Sequence, residues 1–186
     1  MLNASKISDL QDCRTNRLLL RQPSNEHLQV VVAIHGDPET NQFNPSGPAS
    51  TEDSKSMLSS WLSHWDDHGF GYWSVSTIQE PSQIIGFGGV MLKRIGDIEA
   101  PNLYFRFTPK TWGKGYATEV GSAAIHSAFH LLSYSEVLAV VRPDNLPSRS
   151  ALGRLGMLQI GEINDSPGLE LSLLYNISRM QVEIAT

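Results

Sequence analysis

The chain has 186 residues, 40% hydrophobic and 18% charged, with a formal net charge of −5. This length and composition predict one globular domain over residues 14–180, preceded by a loosely held tail over 1–13. The acidic balance argues against a nucleic-acid-binding surface, no apolar stretch is long enough to span a membrane, and the start lacks a signal-peptide pattern. The one cysteine, Cys13, excludes an internal disulfide. These features predict a cytoplasmic protein without nucleic-acid or membrane partners.

The first part of the chain predicts one strand followed by two helices. Residues 17–21 form a short apolar run that predicts the strand. Apolar residues at helical spacing follow Ser24 and again follow Ser50, and the second helix is expected to extend to about Asp67. The segment 41–49, rich in Pro, Gly and Asn, predicts a loop between these helices.

The rest of the chain predicts mainly strands, interrupted by two helices. A helix rich in small residues is expected over 115–132, and a short one ends near Leu155, before Gly156. A turn is expected at 96–101. The predicted strands are 72–78, 83–91, 102–108, Glu136–Val141, 157–163 and 170–177. This order predicts a single α/β domain on a mixed sheet.

The segment 108–120 (Thr-Pro-Lys-Thr-Trp-Gly-Lys-Gly-Tyr-Ala-Thr-Glu-Val) predicts a strand end, a tight glycine loop and a helix start. Such a loop exposes backbone N–H groups at the positive end of a helix dipole, and with Lys114 they predict a phosphate site. The Walker pattern fails because Gly115 follows Lys114, and the dinucleotide fingerprint fails because Thr118 stands where a third Gly or Ala is needed. The alternative is a helix start whose glycines only turn the chain.

Several segments, in order, resemble the RimJ/RimL-like branch of the GNAT acetyl-CoA-dependent N-acetyltransferases. They include 102–107 (Asn-Leu-Tyr-Phe-Arg-Phe) followed by 112–119, and 142–148 (Arg-Pro-Asp-Asn-Leu-Pro-Ser) followed by 155–157. The resemblance extends over 14–177. It implies a mixed, mostly antiparallel sheet of six to seven strands, splayed between the fourth and fifth, with helices on both faces.

The resemblance also implies acetyl-CoA as the cofactor. The strand at Phe105, Arg106 and Phe107 is expected to part from Glu136–Val141, so that the freed backbone groups hold the pantetheine arm and the acetyl carbonyl. The loop is expected to hold the pyrophosphate through Trp112, Gly113, Lys114, Gly115, Tyr116, Ala117 and Thr118.

Candidate catalytic residues follow from the same resemblance. Asn145 and Ser148 match family positions that contact the pantetheine arm near the thiol, although both also fit the start of a capped helix. Glu170 is a candidate general base, with a solvated strand-end carboxylate as the alternative and two other carboxylates equally near in sequence. Tyr104 is a third candidate, but its alternation with Phe105 leaves open which face it occupies. No metal is expected.

The predicted activity is direct transfer of an acetyl group to a primary amine in a ternary complex. The acceptor is a peptide or protein N-terminus or a small molecule, and the acidic balance favours a cationic one. The pKa of an α-amino group is about 8, against about 10.4 for lysine, so an α-amino group loses its proton more readily. A homodimer is common among similar enzymes. The alternatives are a non-catalytic acyl-CoA sensor or scaffold of the same fold and a nucleotide-binding oxidoreductase.

Overall fold

The structure, a computed structural model, describes residues 4–165 and 168–184, and its main elements there are six α-helices and eight β-strands. The α-helices are α1 Ala4–Gln11, α2 Leu28–His35, α3 Thr51–His68, α4 Tyr116–His126, α5 Leu146–Arg154 and α6 Arg179–Ile184. The strands are β1 Asp12–Arg14, β2 Leu18–Arg21, β3 Tyr72–Thr77, β4 Ile84–Ile95, β5 Ile98–Phe107, β6 Glu136–Val141, β7 Leu158–Ile163 and β8 Ser172–Ser178. A π-helical segment, Ser127–Leu131, continues α4.

The strands form one sheet in the order β1-β2-β3-β4-β5-β6-β8-β7. Every neighbouring pair is antiparallel except β5 and β6, which are parallel. The predicted α/β domain with a mixed, mostly antiparallel sheet is therefore confirmed. The strand beyond the predicted six or seven is β1, whose three residues are too few for an alternating pattern to reveal.

The parallel strands β5 and β6 touch at one point and then part. Asn102 pairs with Leu138, and no other register pair joins the described residues of these two strands. In contrast, β4 pairs with β5 throughout, and β8 pairs with the whole of β6. From Leu103 onward, the edge of β5 that faces β6 is therefore free, which confirms the predicted splay.

Helices cover both faces of the sheet. On one face, α2 and α3 pack on the central strands, with Val31, Ile34, Leu58, Trp61, Tyr72, Phe87 and Met91 buried together. On the other face, α4 and α5 contribute to a larger core that includes Leu103, Phe107, Val120, Ala124 and Leu152. Successive side chains of a strand point to opposite faces, so Tyr104 packs against the first cluster and Phe105 against the second. None of the described helices is both long and apolar enough to cross a membrane.

The N-terminal segment corrects the predicted tail. Leu10 of α1 is 1% exposed, and its carbonyl accepts a hydrogen bond from Trp73 Nε1 at 2.6 Å. β1 then pairs with β2. The expected loose tail over 1–13 is thus wrong for residues 4–13, while residues 1–3 lie outside the described part. One buried leucine among mostly polar neighbours gives no periodic signal.

The turn between β4 and β5 is also shorter than predicted. Ile95 pairs with Ile98, so only Gly96 and Asp97 form the turn, rather than the predicted 96–101. Gly96 has a φ of 61°, in the left-handed region that favours glycine. Pro101, which suggested a turn, instead lies within β5 opposite Leu92.

Gly86 sets a close approach between β4 and β5, which leads to a stability prediction. A Cβ at this position would lie 2.6 Å from the Arg106 carbonyl oxygen and against the Phe107 ring. Since the strand backbone must shift to admit a methyl group, we expect Gly86→Ala to lower the free energy of unfolding by about 1–3 kcal/mol. Urea denaturation measures this change.

Gly161→Ala is the matched control, because Gly161 also lies in a strand and a Cβ there would meet no atom within 4 Å. We expect it to change the unfolding free energy by less than about 0.5 kcal/mol. Equal losses in the two variants would contradict the close approach.

Candidate active site

A cleft of about 270 Å³ opens where β5 and β6 part. Its walls include residues 103–106 of β5 and 139–141 of β6. Asn145 and Ser148 line the cleft from α5, on one face of the sheet. Thr40 and Phe43 line it from the loop between α2 and α3, on the other face. A cleft with walls from both faces suits a reaction between two substrates that enter from opposite sides.

The glycine loop between β5 and α4 presents open backbone donors. Gly113 and Gly115 have φ angles of 73° and 78°, in the left-handed region. Glu119 makes the first helical bond of α4, from its N–H to the Gly115 carbonyl at 3.1 Å. Within the described residues, the N–H groups of 113–118 have no acceptor. Such an array has the geometry of an anion site at a helix start.

Trp112 differs from the prediction. Its N–H donates to the Pro109 carbonyl at 3.0 Å, in a short 3₁₀ turn that precedes the loop. Its indole Nε1 donates to the Phe107 carbonyl at 2.9 Å. The Trp112 amide is therefore not one of the free donors of the loop, in contrast to the expected row of donors that began at Trp112. The indole instead ties the loop to the end of β5.

An ion pair fixes the glycine loop against the segment before β2. The Arg17 guanidinium contacts Glu119 Oε2 at 2.6 Å and donates to the Lys114 carbonyl at 2.8 Å. Burial raises the pKa of Glu119, but hydrogen bonds from Thr15 and Arg17 outweigh this effect and hold that pKa below its ordinary value. In a trans peptide the carbonyl and the next N–H point in opposite directions, so the Gly115 N–H points away from Arg17. No local sequence pattern indicates this contact, because 102 residues separate Arg17 from Glu119.

The start of α5 combines capping with a position in the cleft. Asn145 is the N-cap residue, and its side-chain oxygen accepts from the Ser148 N–H at 3.1 Å. The Ser148 hydroxyl has no hydrogen-bond partner among the described residues, although Ser148 lines the cleft. The capped helix start proposed from the sequence is thus present, and it places this hydroxyl beside the parted strands.

A buried histidine supports Tyr104, on the face covered by α2 and α3. His35 is 1% exposed; its Nδ1 lies 3.0 Å from the Val31 carbonyl and its Nε2 lies 2.7 Å from the Tyr104 hydroxyl. A carbonyl only accepts, so Nδ1 carries the proton. Burial and the nearby Arg106 lower the pKa of His35 to about 4, against the opposing effect of the Val31 bond. Neutral Nε2 therefore accepts a hydrogen bond from the Tyr104 hydroxyl, and among the described residues no side chain donates to the phenol oxygen in return.

Sequence reasoning missed His35, because it is simply the last residue of an apolar helix. Its partner Tyr104 lies 69 residues away, and no local spacing connects the two. Burial also raises the pKa of Tyr104 above its ordinary range, so this phenol stays protonated. The open question of which face Tyr104 occupies is thereby answered.

The other predicted residues of β5 divide between the two faces. Phe107 is buried and Phe105 partly buried on the α4 side, whereas the Arg106 side chain reaches Asn41 in the loop on the opposite side. For a cofactor on the α4 side, Arg106 offers its backbone rather than its guanidinium. The strand therefore gives a different surface to each substrate.

Glu170 is not brought together with the other candidates. β8 begins at Ser172, two residues later than predicted, so Glu170 remains in the exposed segment before it and outside the lining of the cleft. Asp165 does line the cleft, and its carboxylate lies 3.7 Å from Arg142 Nη1. The expectation that Glu170 borders the site is corrected by this strand boundary.

Comparisons with known proteins agree with the fold. A family model for an acetyltransferase (GNAT) domain matches residues 17–158, which include the glycine loop and α5. The Aspergillus fumigatus FsC-acetyl coenzyme A-N(2)-transacetylase is 27% identical, over 89% of this chain and 75% of that protein. An acetyltransferase structure from Agrobacterium tumefaciens has a TM-score of 0.77 at 21% identity, covering 90% of this chain and 94% of that one. Mycobacterium smegmatis RimJ in complex with CoA-disulfide has a TM-score of 0.69 at 16% identity, and the match covers 89% of this chain and 83% of that one.

The left-handed conformation of Gly115 leads to a binding prediction. A β-branched residue is strongly disfavoured at a φ of 78°. We expect Gly115→Val to distort the row of N–H donors and to weaken acetyl-CoA binding by about 100-fold, as the loss of several anion hydrogen bonds implies. Isothermal titration calorimetry measures the dissociation constant.

Gly96→Val is the control, because Gly96 has a φ of 61° in the β4–β5 turn and a Cβ there meets no atom within 4 Å. It introduces similar backbone strain far from the loop. Its affinity for acetyl-CoA should stay within about twofold of that of the parent. Equal weakening by both valines would exclude the loop as the phosphate site.

The buried His35 predicts a pH dependence of stability. Its folded pKa of about 4 lies below its ordinary value of 6.5, so its stabilising contribution is complete above pH 6.5 and is lost as the pH falls toward 4. A difference of one pKa unit corresponds to about 1.4 kcal/mol, so the free energy of unfolding falls by about 3 kcal/mol. Urea unfolding at a series of pH values should show a smaller decline for His35→Gln than for the parent. His130→Gln, which changes an exposed histidine of the π-helical segment, should retain the parent's decline.

Proposed function

Since the chain belongs to the GNAT acetyltransferase family, and is thus an acyltransferase that uses acetyl-CoA, we propose that it transfers the acetyl group directly to a primary amine within a ternary complex. The acceptor in this proposal is a peptide N-terminus or a small molecule. The observation that carries the proposal is the cleft between β5 and β6, which has walls from both faces of the sheet. It allows amine and thioester to meet without an intermediate carrier.

The residues present fit acetyl-CoA. The open N–H groups of 113–118 and the Lys114 ammonium are donors for its pyrophosphate, and the free edge of β5 offers backbone groups to the amides of its pantetheine arm. Asn145 and Ser148 line the cleft beside that edge. Acetyl-CoA supplies an acetyl thioester that is activated toward amines.

Two hydroxyl groups have complementary roles in this proposal. The Ser148 hydroxyl, unpartnered among the described residues, donates a hydrogen bond to the leaving sulfur. The Tyr104 oxygen, whose proton is directed to His35, accepts a hydrogen bond from the attacking amine and orients its lone pair. In the overall reaction the nitrogen–carbon bond forms, the carbon–sulfur bond breaks, and the proton lost by the nitrogen ends on the sulfur.

The side chains around the cleft favour an amine of low basicity. Among the described residues lining the cleft, Asp165 is the one carboxylate, and it lies beside Arg142. Without a free carboxylate base, the acceptor must be neutral already. An α-amino group, with a pKa of about 8, is neutral in a useful fraction of molecules at pH 7, whereas a lysine-like amine is not.

Two relatives support this assignment in different ways. The name of the Aspergillus fumigatus relative specifies acetyl transfer from coenzyme A to a nitrogen, N(2). RimJ of Mycobacterium smegmatis shares the fold and was solved with CoA-disulfide. We therefore also propose a RimJ/RimL-like position within the family.

The test is an acceptor screen with free-thiol detection. Purified protein with acetyl-CoA is offered peptides with varied first residues, amino acids, aminoglycosides and polyamines, and mass spectrometry identifies the acetylated nitrogen. We expect thiol release that depends on an amine. Acetyl-CoA binding without release for any amine would overturn the proposal and favour a non-catalytic acyl-CoA-binding protein.

Tyr104→Phe tests the proposed role of the phenol in the same assay. We expect kcat to fall by about tenfold or more, because the amine loses its hydrogen-bond acceptor, while the dissociation constant for acetyl-CoA stays within about twofold. Tyr134→Phe removes the hydroxyl of a half-buried tyrosine outside the cleft and should leave kcat unchanged. An unchanged kcat in Tyr104→Phe would exclude a catalytic role for the phenol.

A further inference from the structure

Arg106 occupies the acceptor side of β5. It lines the cleft two residues after Tyr104, so both side chains point to the face covered by α2 and α3. The glycine loop instead leads into α4, which packs on the opposite face. The guanidinium is thus separated by the sheet from the site proposed for the phosphates. A fixed cation near Tyr104 needs a different explanation.

A neutral amide holds the Arg106 guanidinium. Its Nη1 donates to Asn41 Oδ1, and Asn41 is 4% exposed. The amide nitrogen of Asn41 in turn donates to the His35 carbonyl at 2.7 Å and to the Asp37 carbonyl at 2.8 Å. Because these two bonds fix the amide, its oxygen must face Arg106. This arrangement orients the guanidinium without neutralising its charge.

No carboxylate pairs with Arg106 in the described part of the chain. Its nitrogen atoms other than Nη1 have no hydrogen-bond partner there, and none of them is fully buried without one. The second arginine lining the cleft, Arg142, does have a carboxylate, because Asp165 lies 3.7 Å from it. The side chains of the cleft therefore carry a net positive charge although the whole chain carries −5.

Apolar neighbours strengthen the effect of this charge. Phe43, Pro45 and Leu103 line the same cleft. In such partly dry surroundings a guanidinium attracts an anion more strongly than it does in water. The acetyl thioester is uncharged, so the reacting end of the cofactor provides no such anion. The remaining molecule that enters this side is the acceptor.

We propose that Arg106 binds a carboxylate of the acceptor, so that the substrate class is amines that also bear a carboxylate, such as amino acids. This inference rests on the proposed acetyl transfer. The planar fork of a guanidinium matches a carboxylate through two parallel hydrogen bonds. Cα atoms two apart in a strand are about 7 Å apart, so Tyr104 and Arg106 are able to hold the amine and the carboxylate of one small molecule.

The same charge selects against other amines. A second ammonium group near Arg106 is repelled, which disfavours polyamines despite the acidic chain. A nearby cation also lowers the pKa of the reacting amine, because it disfavours the charged form. Arg106 therefore binds the acceptor and raises the fraction of it that is able to react.

The test compares acceptors that differ by one carboxylate. Each α-, β- or γ-amino acid is paired with its amide, as in alanine and alaninamide, and kcat/KM is corrected for the fraction of neutral amine. We expect the parent to prefer the acid of at least one pair by about 10- to 100-fold, the effect of a charge-assisted bidentate contact. Arg106→Gln should reduce this preference to within about twofold. Arg106→Lys, which keeps the charge without the fork, should retain part of it.

Arg94→Gln is the matched control, because Arg94 is an exposed arginine of β4 outside the cleft lining. It should keep the parent's preference. As a readout independent of turnover, calorimetry with CoA present should show the N-acetylated acid binding more tightly than its amide to the parent, but not to Arg106→Gln.

Three results overturn the inference, and a fourth separates it from the proposed function. A parent that prefers amides or polyamines excludes a carboxylate site. Equal loss for acid and amide in Arg106→Gln assigns Arg106 to the reacting carbonyl or to folding. Equal binding of both acetylated products also contradicts the inference. If no amine of any class releases thiol, it is the proposed acetyl transfer that fails.

Discussion

A single register pair between β5 and β6 is the constraint on which the site depends. On either side of this pair, β4 pairs continuously with β5 and β8 with β6, so the backbone groups of those ladders are satisfied within the fold. Where the two strands part, the inner edge of β5 has backbone donors and acceptors without a strand partner among the described residues, and burying such groups unpaired is costly. The structure keeps these groups in an open cleft, where water or an amide-bearing ligand is able to satisfy them. The backbone groups of β5 that do not pair with β6 are thus available to bind a ligand.

The alternation of side chains along β5 separates the two halves of the reaction. Phe105 and Phe107 pack toward α4, whereas Tyr104 and Arg106 face α2 and α3. Because successive side chains of a strand point to opposite faces, a substitution on one face of β5 leaves the side chains of the other face largely unaffected. The backbone between them contacts both regions, so one short segment links cofactor binding to acceptor selection. The ion pair between Arg17, which precedes β2, and Glu119 of α4 stabilises the glycine loop.

Local signals explain what the sequence predicts well. The glycine loop, the capped start of α5 and the strand β6 each depend on neighbouring residues, and their bounds or geometry match expectation. Contacts between distant segments have no such signal. The pairing of His35 with Tyr104 is one example, and the edge strand β1 is another. Boundaries are a third difficulty: β8 begins two residues later than its sequence pattern predicts, and Glu170 lies in the exposed segment before it, outside the cleft lining.

Asn41 gives the loop between α2 and α3 a distinctive architecture. Its side chain binds the last carbonyl of α2, and the same carbonyl accepts the Ala49 N–H at 2.8 Å, so both ends of the loop meet at His35. A segment closed upon one anchor is a self-contained module. Evolution is able to exchange its contents, and with them the molecules that the enzyme recognises, while the machinery that delivers the acetyl group is inherited unaltered.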